Sequence, residues 1–224
     1  MTPQPRNWNG STSGATPRRP VSLDLALADE IEGAPDPAER NAIAHETAWA
    51  FVDGGRANPD DPKRSELLET LVRLGEAGDI ELVADMWADA GPLTLPGALW
   101  RMYAIREWVR RDPETVTDAY RRGRANTAAS EVIAGLSDSP EPAGVARSVD
   151  RILAGIYDGD LDVAFDRASA LLAILATGIG ANAQSLTVTN SDRSAQSLRR
   201  ADSLARTADE LAHAARLARE GTLE

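Results

Sequence analysis

Asp85 and Asp89 stand one helical turn apart beside Trp87, with Asp79 and Glu81 just ahead of them. Two carboxylates at that spacing could work as an acid/base pair or hold a hard divalent cation, as a hydrolase or lyase would need. Carboxylates near a helix start also answer the helix dipole, and Asp89 fits a solvent face. A second candidate is Thr177-Gly178-Ile179-Gly180-Ala181-Asn182-Ala183, which contains Gly-x-Gly-x-x-Ala, with Asp202 further on at the distance of a ribose contact. That fingerprint needs a short β-branched strand before it, whereas Val163–Ala176 reads as a helix, so the glycines are expected to end one. Glu210-Leu211-Ala212-His213 has the Glu-x-x-His step of di-iron bundles, but those sites need a second copy and further glutamates. His45-Glu46 opens like a zinc-protease motif and then places Trp49 where the second His belongs. These sets are incomplete, and no catalytic, cofactor or metal residue is assigned.

The densest run of interaction chemistry is Leu95-Pro96-Gly97-Ala98-Leu99-Trp100-Arg101-Met102-Tyr103-Ala104-Ile105-Arg106-Glu107-Trp108-Val109-Arg110-Arg111. Steps of 100° put Ala98, Met102, Ile105 and Val109 on one helix face, with Trp100 and Tyr103 opposite, near Glu107 and Arg111. Such a helix is either central, with its arginine stems paired to nearby acids, or it shows an aromatic–arginine surface to a partner. The leading expectation is a non-enzymatic protein-interaction or regulatory module whose contact residues are Trp100, Tyr103, Arg106, Arg110 and Arg111. Arg121, Arg122 and Arg124 extend the run and make residues 100–124 net positive. Binding of nucleic acid or the transcription apparatus through the arginines of 101–124 is therefore the alternative.

Composition narrows the classes. The chain has 224 residues and a net charge of −11, which disfavours general nucleic-acid and anionic-membrane binding. Cysteine is absent, removing disulfides, thiolate metal sites and thiol nucleophiles, and two His leave little for an imidazole centre. Lys63 is the sole lysine against many arginines, as a GC-rich genome would produce. No signal peptide is visible, and the apolar run Ala168 to Ile179 falls short of the roughly 20 residues that span a bilayer. The expected compartment is the cytoplasm, with no membrane partner and no cofactor.

The elements that must position these residues are helices. Residues 1–20, rich in Pro, Ser, Thr, Asn and Gly, read as a disordered tail, and 21–35 as a short extended or helical segment. If extended, Val21–Leu27 could add to a partner's sheet edge or fold over the chain's own helices. Asp36-Pro37, Asp61-Pro62 and Asp112-Pro113 each mark a helix start, because Pro lacks the N–H that a first turn leaves unpaired. Helices are predicted near 37–53, 62–76, 79–90, 96–111, 113–123, 128–136, 142–157, 161–179 and 192–219. The expected fold is all-α: eight or nine helices packed as antiparallel hairpins, with a core domain over 36–183. A linker and a long Ala-rich helix complete it over 184–224, the polar connection running from Asn182 to Ser191. In that last helix Leu204, Ala208, Leu211, Ala215 and Ala218 form a seam facing the helix at 161–179 or, through homo-oligomerisation, another chain. Gly78-Asp79 and Gly159-Asp160 open similar blocks, which convergent capping explains without duplication.

The run LPGALWRMYAIREWVRRDPETVTDAYRRG, with NAIAHETAWAFVDGG, Val132-Ile133-Ala134-Gly135 and YDGDLDVAFDRASALLAILATG, resembles a conserved actinobacterial family of helical proteins without an established activity. The resemblance covers roughly residues 36–180. It implies an all-helical cytoplasmic body and brings no catalytic residue with it.

Overall fold

Asp36 shows why the first helix starts where it does: its side-chain oxygen accepts from the Ala38 N–H at 2.9 Å, with Pro37 filling the first helical position. The computed structural model describes residues 36–54, 70, 73, 80–127, 141–154, 160–186 and 191–224. Among these, seven helices form: α1 (Pro37–Gly54), α2 (Ile80–Ala88), α3 (Leu95–Arg111), α4 (Pro113–Thr127), α5 (Pro142–Leu153), α6 (Leu161–Leu186) and α7 (Ser191–Glu220). No strand occurs among them. Seven is fewer than the eight or nine expected. The helix predicted at 128–136 lies outside the described residues. So does that at 62–76, apart from Thr70 and Arg73, both helical. The expectations for residues 1–35, Asp61-Pro62 and Gly78-Asp79 also fall outside them.

Asp112 ends one helix and begins the next. Its N–H donates to the Trp108 carbonyl at 3.0 Å, and its side chain accepts from the Thr115 N–H at 3.2 Å. α3 itself is capped by Thr94, whose Oγ1 accepts from the Gly97 N–H. α5 ends at Leu153 with Ala154 as its C-cap, and the remainder of the range predicted to 157 lies outside the described residues.

α6 corrects the sequence reading most. It continues through Gly178 and Gly180 to Leu186, so neither glycine ends it and Asn182 to Leu186 is helix instead of linker. The physical reason is close approach. A Cβ on Gly178 would stand 1.9 Å from the Ala119 carbonyl oxygen, and one on Gly123 would stand 1.9 Å from that of Ile174. Rising on α4 from 119 to 123 matches falling on α6 from 178 to 174, so the two helices cross antiparallel with bare backbone at the contact. Gly123 likewise does not end α4. The Leu161–Ala183 stretch is long and apolar enough by length and composition to cross a membrane, against the shorter run read in the sequence, and more than half of its apolar window is buried inside the protein.

α7 runs antiparallel to α6. Ser194 Oγ donates to the Ala183 carbonyl at 2.9 Å at one end, and Ser169 Oγ to that of Ala208 at 2.7 Å further along. At the other end Arg219 reaches Asp162 and Asp166 at 2.9 and 2.6 Å. Ala208, Leu211 and Ala215 are buried in the seam, with Leu204 and Ala218 half-buried. The helix closes at Gly221 (φ 69°), whose left-handed backbone lets the Thr222 N–H reach the Leu217 carbonyl at 2.9 Å. Leu223 is then buried, and the Glu224 main-chain oxygen accepts from the Leu95 N–H at 2.6 Å, at the start of α3.

Candidate functional site

α3 packs against each of the six other described helices. Ala98, Leu99, Met102, Tyr103 and Ile105 are buried, and Trp100, Trp108 and Val109 are half-buried against the core. Of the two roles its amphipathic pattern allowed, it occupies the central one. The five expected contact residues divide accordingly. Tyr103 is buried and Trp100 half-buried. The Arg106 side chain, 13% exposed, donates to Asp150 and Glu107, both at 2.6 Å. Arg111 is exposed and bridges Glu81 at 3.0 Å and Glu107 at 3.1 Å. Arg110 is exposed and pairs with no described residue.

The remaining arginines of this stretch are also engaged. Arg101 binds Glu210 at 2.7 Å, which accounts for the glutamate of the Glu-x-x-His step, and Arg121 and Arg122 each lie 3.5 Å from Asp118. Arg200 of α7 stacks over the Trp108 ring at 4.6 Å. A phosphate backbone would have to displace several carboxylates to use this run.

Tyr103 carries a testable consequence. Its hydroxyl is a buried atom without a hydrogen-bond partner among the described residues, as are His45 Nε2 and Trp108 Nε1. Burial pushes the Tyr103 hydroxyl above its usual range, Glu107 and Glu81 push the same way, and Arg106 and Arg111 oppose them. The folded chain therefore holds that proton more tightly than the unfolded one. The stabilisation is complete below the ordinary tyrosine value of about 10 and is lost as pH rises through the folded value. Tyr103→Phe should be within about 0.5 kcal/mol of the parent at neutral pH, since no hydrogen bond is lost. It should also flatten the alkaline fall in stability. Urea unfolding at neutral pH and just above the tyrosine range reads both.

A groove opens between α1 and α2. All residues from Asp36 to Ile43 are exposed, so the first turns of α1 stand clear of the core. The groove encloses about 260 Å³, with Ile43, Ala44 and Met86 along its apolar floor and Arg40, Asp85 and Asp89 at its rim. Ile43 is 41% and Met86 38% exposed, two of the five large hydrophobic side chains left open among the described residues. Arg40 and Asp89 lie 3.5 Å apart as a loose, open pair, and Asp85 pairs with no described residue. The sequence pointed to Asp85 and Asp89 as carboxylates and missed the apolar floor between them. Ile43 falls one turn before the buried Thr47, an offset that only the helix placement reveals.

The other candidates are not assembled into sites. Gly178-Ile179-Gly180 lies inside α6, where its backbone N–H groups belong to the helix instead of to a phosphate cradle. Among the described residues no three of His, Asp and Glu converge to hold a metal ion. Comparison with protein-family models, curated proteins and solved structures finds no match for this chain.

Proposed function

We propose that this chain is a non-enzymatic protein-interaction module that takes an apolar side chain of a protein partner into the α1–α2 groove, with basic partner residues against its acidic rim. The observation that carries it is the pairing of exposed Ile43 and Met86 with Asp85 and Asp89 at one groove. The interaction class is the one the sequence suggests, moved from the α3 surface, whose aromatic residues are taken up in packing. A cytoplasmic location and kinship with the actinobacterial helical family belong to the same proposal.

Affinity capture by the tagged chain at moderate salt, after nuclease treatment and from a lysate whose untagged copies of the chain carry Met86→Asp, tests it. Met86→Asp puts a charge on the groove floor at an exposed position and should reduce partner recovery roughly tenfold or more, with the melting temperature unchanged. A partner that depends on nuclease-sensitive material, with affinity falling steeply in salt, would favour the arginines of 101–124 instead. A thermal shift with millimolar magnesium or manganese would favour the Asp85/Asp89 hydrolase or lyase reading.

A further inference from the structure

We infer that the partner seated in this groove is a second copy of the chain, presented through the outer face of α7. The inference rests on the groove reading above and names its occupant.

α7 buries one stripe against α6 and leaves the opposite one open. Leu198 lies on that open side and, at 45%, is the most exposed large hydrophobic side chain among the described residues. Steps of 100° per residue bring Ala195, Leu198, Arg199, Asp202, Ala205 and Arg206 within one arc, and all six are exposed. Arg199 and Arg206 pair with no described residue, and Asp202 is the one acid between Ala195 and Arg206. This is an apolar knob flanked by arginines.

The groove is its complement. Its floor is aliphatic and thioether, which suits a leucine side chain. Asp85 pairs with no described residue, and among the described residues Asp89, 86% exposed, is tied only to Arg40 through a loose surface contact of the kind that is worth little and exchanges readily. Arg199 and Arg206 arriving beside Leu198 would give these carboxylates partners without burying an unpaired charge. In a chain whose net charge of −11 opposes self-association, the arginine edge of α7 is where a second copy meets the acidic rim with opposite sign. The contact joins two different patches, so each copy can give with one and receive with the other.

Sedimentation velocity of the full chain across a concentration series at low salt tests this. The parent should sediment as an associated species, and Met86→Asp and Leu198→Asp should each be monomeric. An equimolar mixture of the two should recover a 1:1 complex, because one supplies an intact knob and the other an intact groove. Arg199→Glu should weaken association roughly tenfold, with Asp85→Arg in the second chain restoring it. That charge-reversal pair decides the matter if Leu198→Asp perturbs folding. A parent that is monomeric at every concentration, variants that associate as it does, or a mixture that stays monomeric would overturn the inference. If the parent is monomeric yet captures another protein that Met86→Asp loses, self-association falls while the groove reading stands.

Discussion

Trp87→Ala should lower the unfolding free energy by about 4 kcal/mol, the middle of the range for removing a buried indole. Trp87 is fully buried in α2, its ring meets Phe51 of α1 edge-on at 5.7 Å between centroids, and Nε1 donates to Thr47 Oγ1 at 3.0 Å. Thr47 is buried inside α1, where its hydroxyl also contacts the carbonyls of Ile43 and Ala44 at 2.8 and 3.0 Å. One residue therefore fills the α1–α2 interface and satisfies its buried donor. Trp87→Phe keeps most of the ring volume and leaves Thr47 its helix carbonyls, so its cost should be smaller, about 1–2 kcal/mol. Urea unfolding of the three proteins gives the order. Because Trp87 holds the two walls of the groove together, the alanine variant should also lose the partner while Trp87→Phe retains it.

Gly178→Ala should cost about 3 kcal/mol or more, which for a domain of this size is roughly 6–12 °C of melting temperature. The added methyl would meet main-chain atoms of α4, which cannot turn aside as a side-chain end can. Gly180→Ala, two residues on, should be neutral or stabilising by up to about 1 kcal/mol. There a Cβ meets only the Ala201 methyl at 3.9 Å, and alanine favours a helix interior over glycine. The pair separates the two explanations of the Gly-x-Gly run directly. A cofactor loop would make both substitutions costly to binding and neither costly to folding. A helix crossing makes one costly to folding and the other not.

The helices were legible because their ends are written locally. Asp36-Pro37 and Asp112-Pro113 each set a first turn with residues two to three positions apart. What the sequence could not carry was whatever depends on a second helix. Gly178 reads as a helix end because glycine usually stops a helix, and only the crossing of α4 on α6, where Gly123 and Gly178 meet the partner backbone, explains why it does not. Thr47 is unremarkable in α1 until the Trp87 indole is placed beside it. The amphipathic reading of α3 found both of its apolar faces but not the layers that cover them, so Tyr103 and Arg106 looked equally fit for a partner. Arg106 is instead held by Asp150, an acid on α5, 44 positions away in the chain. Asp85 and Asp89 were visible as a carboxylate pair, whereas the groove they rim exists only because α1 stands beside α2.

Differential capture tests most directly whether a protein partner binds at the α1–α2 groove and not along α3. The tagged chain, Met86→Asp, and the Arg110→Ala, Arg111→Ala double variant would be compared from one nuclease-treated lysate in which every untagged copy of the chain carries Met86→Asp, so that a second copy can be recovered only through the groove of the tagged chain. Each variant would be confirmed as folded by its melting curve. Recovery of the same partner by the parent and the α3 variant, with its loss in Met86→Asp, is the expected result. Loss in the α3 variant with full retention in Met86→Asp would contradict it and return the contact surface to α3.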